Sequence, residues 1–188
     1  MKQEYILGLD ASSSEIGISI FKKDTGELIS LSHLTLESST LLERGVEFKG
    51  RIEELVKNYN IIDACIEAPF VAMFGTGSSA STTAMLNQHN AMYQWICFSL
   101  GLKVTSYSPQ EARKFALPGV KLRSKKLCGL TEKEQVFNIV CEKLGDSYFP
   151  KKTISRGKRK GELVFEDFCM DMSDAYIMGL AFLNKNKQ

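Results

Sequence analysis

The sequence predicts an α/β fold in which a mixed sheet of about five strands is flanked by α-helices. Three observations carry this reading. The first 36 residues alternate apolar and polar positions between tight turns, as an antiparallel meander does. Residues 61–66 form a short, almost wholly apolar run, the pattern of a strand covered on both faces. Helix-length amphipathic segments separate that run from the meander and also follow it, so strands and helices interleave.

Taken in order, residues 4–11 (Tyr5-Ile-Leu-Gly-Leu-Asp) and 15–22 (Ile16, Ile18 and Ile20 alternating) read as two strands joined by a Ser-rich turn. A third follows Asp24-Thr-Gly26, carries Leu28, Ile29, Leu31, Leu34 and Leu36, and ends at Ser38-Ser39-Thr40, a cluster able to cap a helix. From 41 to 58, Leu41, Leu42, Val46, Phe48, Ile52, Leu55 and Val56 fit an amphipathic helix. The apolar strand at 61–66 then runs into Glu67-Ala-Pro-Phe70. A Gly/Ser loop (Phe74-Gly-Thr-Gly-Ser-Ser) leads into a long helix through about residue 100, where Met85, Met92, Trp95, Ile96 and Phe98 read by default as core. Residues 103–106 supply another strand. Ser108-Pro109 opens a short helix, with Ser as N-cap and Pro at the first helical position. Thr131-Glu-Lys-Glu134 is a capping box for a helix to about 144, and a last helix spans about 172–183. The least regular stretch, 145–168, crowds Lys151, Lys152, Arg156, Lys158, Arg159 and Lys160 around Pro150, Gly157 and Gly161.

Length and composition agree with a single domain over 1–188, carrying a basic insertion at about 145–168. No stretch of about 18 apolar residues offers a membrane span, and no cleavable leader pattern opens the chain, so a cytoplasmic protein is expected. The five cysteines are odd in number and never spaced C-x-x-C, which favours reduced core thiols over a disulfide framework or a zinc site. His33 and His89 have no metal-ligand spacing. Charge is uneven: residues 113–160 hold 14 of the 24 Lys/Arg and four acids (Glu132, Glu134, Glu142, Asp146). A basic segment beside an acidic body suits a protein that grips a polyanion with one part and cations with another.

The acids with chemical interest are Asp10, Glu67, Asp171 and Asp174. Asp10 ends the first strand, where a carboxylate can be rigid and still face solvent; a turn or cap role is the alternative. Glu67 ends the buried run at 61–66, so its charge must be paired, solvated or bound to a cation. Asp171 and Asp174 stand three apart and share one face of the last helix; acids there also complement the helix dipole, but capping needs only one. Four carboxylates brought together repel one another unless cations neutralise them, and oxygen-only ligands select hard ions such as Mg²⁺ or Mn²⁺. Two such ions could activate a water and stabilise the leaving oxygen of a phosphodiester.

Four segments, G-L-D-A-S-S-S-E-I-G-I-S-I, I-E-A-P-F, T-E-K-E-Q-V and D-M-S-D-A-Y, in this order and spacing, resemble the RuvC-type Holliday junction resolvases over most of the chain. The resemblance implies a ribonuclease H-like fold and a structure-selective endonuclease that resolves four-way DNA junctions by paired, metal-dependent nicks. It makes Asp10, Glu67, Asp171 and Asp174 the ligands of Mg²⁺, two ions per site with Mn²⁺ as substitute. It gives Lys133 a supporting catalytic role and sets Phe70 against unpaired bases at the junction centre. It further implies a homodimer, formed partly by the long helix. The modest length, lack of targeting signals and richness in Lys, Asn and Ile are compatible with a bacterial or phage protein, so a bacterial or phage-infected cell is the expected setting.

Lys121, Arg123, Lys125, Lys126 and the 151–160 cluster (Lys151, Lys152, Arg156, Lys158, Arg159, Lys160) are the expected DNA-phosphate contacts. The 145–168 segment is longer than its counterpart in typical bacterial members and reads as an added DNA-contacting loop or hairpin. Gly75-Thr-Gly77 lacks a Walker lysine, so no nucleotide cofactor is expected. Two alternatives stay open: a related nuclease of flaps, other branches or RNA–DNA hybrids, and a noncatalytic junction-binding protein.

Overall fold

The computed structural model describes residues 2–69 and 80–187. Phe70 and the loop at 74–79 therefore lie outside the described residues. The meander is β1 (Tyr5–Ala11), β2 (Glu15–Lys22) and β3 (Leu28–Thr35), followed by α1 (Leu41–Asn58), β4 (Ile61–Glu67), α2 (Ala80–Ser99) and β5 (Lys103–Tyr107). The strands form one sheet in the order β3-β2-β1-β4-β5. The meander pairs are antiparallel, whereas β4 is parallel to both β1 and β5. The mixed five-stranded sheet expected from the sequence is thus present.

Next come α3 (Pro109–Ala116), the one-turn α4 (Lys125–Cys128), α5 (Glu132–Leu144) and, last in the chain, α6 (Cys169–Lys185). Three helices start at capping boxes in which a hydroxyl and a glutamate satisfy each other's backbone amides: Thr40 with Glu43, Ser108 with Glu111, and Thr131 with Glu134. Residues 145–168 hold a 3₁₀ turn (Asp146–Tyr148) and a two-stranded antiparallel hairpin of β6 (Lys151–Thr153) and β7 (Leu163–Phe165).

A hydrophobic core lies on each face of the sheet. The period of two sends Leu7, Leu9, Ala64 and Ile66 to the face covered by α1 and α2, and Ile6 and Cys65 to the face covered by α3, α5 and α6. Continuing that alternation by one step puts Asp10 and Glu67 on the α6 face.

α6 lies unusually close to the sheet because glycines line its track. A Cβ on Gly17 would come within 2.0 Å of the Asp171 carbonyl oxygen, and one on Gly8 within 2.5 Å of that of Ala175. The Ser19 hydroxyl donates to the same Ala175 carbonyl at 2.7 Å. Gly17→Ala is expected to push the start of α6 off the sheet and cost about 3 kcal/mol, the upper range for overpacking a core. Equilibrium urea unfolding measures this; an unchanged midpoint would show that α6 is free to shift.

The long helix α2 departs from expectation. Tyr93, Ile96 and Cys97 are buried, but Met85, Trp95 (65% exposed) and Phe98 (69%) face solvent, as do Leu42 and Val46 of α1. A helix laid on a sheet buries one stripe, and these side chains lie on the other. All five cysteines are free thiols, four of them buried. Among the described residues no helix is long and apolar enough to cross a membrane.

Candidate active site

Each acid reaches the site by a separate structural route. Asp10 is the penultimate residue of β1 and Glu67 the last of β4, on neighbouring parallel strands. The loop after Asp10 is fixed from above: the Tyr93 hydroxyl and the Arg44 guanidinium both donate to the Ser13 carbonyl (3.1 and 3.3 Å). Ser12 accepts from the Glu15 amide at 3.0 Å and closes the turn. Asp171 and Asp174 lie in the first two turns of α6, which the glycine track brings down beside Gly17, the β2 partner of Asp10.

The Lys133 ammonium, in the first turn of α5, joins three of the acids. Its Nζ donates to Asp171 Oδ1 at 2.7 Å and lies 3.4 Å from Asp174 Oδ2 and 3.6 Å from Asp10 Oδ2. Asp10, Glu67, Lys133 and Asp171 border one open cleft of about 210 Å³, shared with Ser12, Asn87 and Asn90. The Asp174 side chain is only 11% exposed.

Burial and mutual repulsion raise the proton affinity of the cluster. Asp10 is held well above the ordinary carboxylate range, first by desolvation and then by Asp174, Glu67 and Asp171; Lys133 opposes. Glu67 is raised by burial and by Asp174, partly offset by a hydrogen bond with Asp10. Asp174 is raised by burial, while Lys133 and Arg113 pull it back. Burial alone would lower Lys133, but the attraction of Asp10 and Asp174 and the bond to Asp171 keep it above its usual value. A cluster that cannot carry its charges alone favours either protons or added cations. Among the described residues no three acidic, histidine or cysteine side chains are grouped closely enough to cage a metal ion, and the Lys133 ammonium lies among three of the carboxylates.

Two positioning groups escape the sequence reading. Asn90 of α2, buried, donates to the Glu67 carbonyl at 2.7 Å and accepts from Gln94, so α2 braces the end of β4. Arg113 of α3 flanks the cluster, acting on Glu67 and Asp174, and pairs with Glu132 at 2.8 Å. An asparagine inside a long helix and one arginine among many carry no local signal.

The expected DNA contacts sit outside the cleft. Lys121, Arg123, Lys125 and Lys126 are exposed between α3 and α5. The Arg123 backbone is tied to the Gln135 side chain, whose Nε2 donates to the Arg123 carbonyl (2.8 Å) and whose Oε1 accepts from the Arg123 amide (2.9 Å). Lys151, Lys152, Arg156, Lys158, Arg159 and Lys160 all belong to the hairpin.

No family model and no curated protein matches the chain by sequence. Among solved structures, RuvC of Thermus thermophilus in complex with a Holliday junction substrate matches with a TM-score of 0.64 at 14% identity, over 98% of this chain and 95% of that one. A second Thermus thermophilus RuvC structure gives 0.60 at 16%, covering 97% and 95%. The yeast mitochondrial Holliday junction resolvase Ydc2 gives 0.56 at 13%, covering 97% of this chain and 79% of that one. At such identities the likeness establishes the fold: the chain has the ribonuclease H-like architecture of these resolvases over nearly its whole length.

Proposed function

We propose that the chain is a metal-dependent endodeoxyribonuclease that resolves four-way DNA junctions by paired nicks. The observation that carries this is the gathering of Asp10, Glu67 and Asp171 on the border of one cleft of a resolvase-like fold, with Asp174 behind them and joined to Asp10 and Asp171 through Lys133. The donor set is oxygen only, and its raised proton affinity marks an unmet demand for positive charge, which suits Mg²⁺ with Mn²⁺ as a substitute. These four carboxylates would hold the ions, which when bound supply Lewis acidity for an attacking water and for the leaving oxygen.

The remaining groups have roles that follow from charge and position. Lys133 presents a protonated ammonium at the cleft and can swing from carboxylate to phosphoryl oxygen as charge develops there. Arg113 offsets the charge on Glu67 and Asp174, and Asn90 keeps Glu67 at its strand end. Phe70, three residues beyond Glu67, is assigned by the resemblance to unpaired bases. Lys121, Arg123, Lys125 and Lys126 would hold phosphates beside the cleft.

Paired nicks need two sites related by symmetry, and the exposed apolar face of α2 supports a homodimer. Trp95→Glu is expected to convert a dimer into a monomer in sedimentation velocity while leaving the circular dichroism spectrum unchanged; an unaltered sedimentation coefficient would remove α2 from the interface.

Substrate competition tests the reading. With Mg²⁺, labelled junction should be cut while excess linear RNA–DNA hybrid and flap DNA compete poorly. Equal cutting of junction and hybrid would favour the broader nuclease alternative.

A further inference from the structure

The hairpin β6–β7 is uniform in sequence, six cations in ten residues, but not in structure. Three of those cations are neutralised within the fold. Lys151 pairs with Asp146 at 2.6 Å and stands 4.7 Å from the centre of the Phe165 ring. Lys152 pairs with Asp167 and Glu166 (2.8 and 3.2 Å), and Arg159 with Glu162 (2.6 Å). Arg156, Lys158 and Lys160 are exposed and form no ion pair among the described residues. All three lie in the connection between the two strands.

This tip is ordered by its own hydrogen bonds. Gly157 (φ +84°) and Gly161 (φ +91°) take the left-handed conformations that reverse the chain. The Ile154 amide donates to the Glu162 carbonyl (2.9 Å) and the Gly161 amide to that of Ile154 (2.8 Å), extending the ladder beyond the strands. The base is equally fixed. Phe149 and Phe165 pack edge-on against Phe137 of α5, at 5.1 and 5.0 Å between ring centres. The Cys169 thiol and the Glu166 amide both donate to the Pro150 carbonyl (3.3 and 3.0 Å). Phe168, between the hairpin and α6, stacks on His33 of β3 at 4.0 Å and 9°. The hairpin therefore runs without slack into the helix that carries Asp171 and Asp174.

We propose that the hairpin is a rigid arm that grips the phosphate backbone of a duplex, away from the cleft, through Arg156, Lys158 and Lys160 alone. This rests on the nuclease reading above and adds a second, sequence-independent contact to it. A membrane surface is the less suited polyanion: the one apolar side chain of the connection, Ile154, is half-buried next to β6, and the exposed Leu163 sits on β7.

The test is the salt dependence of binding to a four-way junction in EDTA, where cleavage is excluded. For the triple variant R156A/K158A/K160A, the log–log salt slope should fall by about 2 to 3, since each phosphate contact contributes about 0.9. Affinity near 0.1 M salt should fall about 100-fold, with the circular dichroism spectrum unchanged. Arg159→Ala, which loses a local ion pair only, should leave the slope alone. An unchanged slope in the folded triple variant, or an equal fall in Arg159→Ala, overturns the arm. Phosphatidylglycerol vesicles that bind the wild type more tightly than the junction does, and lose that binding in the triple variant, overturn it in favour of a membrane contact. A protein that binds with the expected slopes but never cuts DNA leaves the arm standing and removes the nuclease reading instead.

Discussion

Asp174→Asn is expected to lower single-turnover cleavage of a four-way junction by at least about a thousandfold, or about 4 kcal/mol of barrier, with junction affinity in EDTA nearly unchanged. Asparagine keeps the shape of the side chain and removes the charge. In the folded protein that charge is nearly out of solvent and repels Asp10 and Asp171; Lys133 and Arg113 offset only part of this, so its presence costs stability until a further cation arrives. The same substitution should therefore raise the metal-free melting temperature, by the few degrees that about 1 kcal/mol represents, and weaken any rise produced by Mg²⁺. Loss of activity combined with gain of stability separates a functional carboxylate from a capping one. A capping aspartate replaced by asparagine, itself a good cap, would change neither quantity much.

Lys133→Ala carries the second large effect. Removing the ammonium takes away the cation bonded to Asp171 and close to Asp10 and Asp174. Loss of one positioned charge that stabilises a phosphoryl group is expected to lower the cleavage rate about 100- to 1,000-fold at saturating Mg²⁺. If Lys133 only neutralised the cluster, saturating Mg²⁺ would replace it and restore the rate. A persistent loss under saturation is the expected result, and Lys133→Arg should recover part of it, because charge is kept while the compact head is not.

Much of this site is visible in the sequence, for identifiable reasons. Asp10 and Glu67 end apolar strands, and the period of two already puts them on the face of Ile6 and Cys65. Asp171 and Asp174 share a helix face by spacing alone, and the capping boxes at Thr40, Ser108 and Thr131 mark three helix starts. What escapes is set by tertiary contact. Arg113 and Asn90 matter only because α3 and α2 pack where they do. The exposure of Trp95 and Phe98 cannot be read from α2, whose apolar residues surround the helix rather than form one stripe. The basic cluster hides its division into paired and unpaired cations, since partners such as Lys152 and Asp167 lie across the hairpin, fifteen positions apart. The close approach of α6 is legible only in retrospect: Gly8 and Gly17 look like ordinary strand glycines until a helix is laid over them.

The most direct measurement is nick mapping on a four-way junction labelled on opposing strands, with Mg²⁺ or with EDTA, for the wild type and Asp174→Asn. The expected result is symmetric nicks in the two opposing strands by the wild type with Mg²⁺ alone, and none by the variant. An intact junction with wild type and Mg²⁺, or nicks that persist in EDTA or in Asp174→Asn, would contradict a metal-dependent resolvase site built from the four carboxylates.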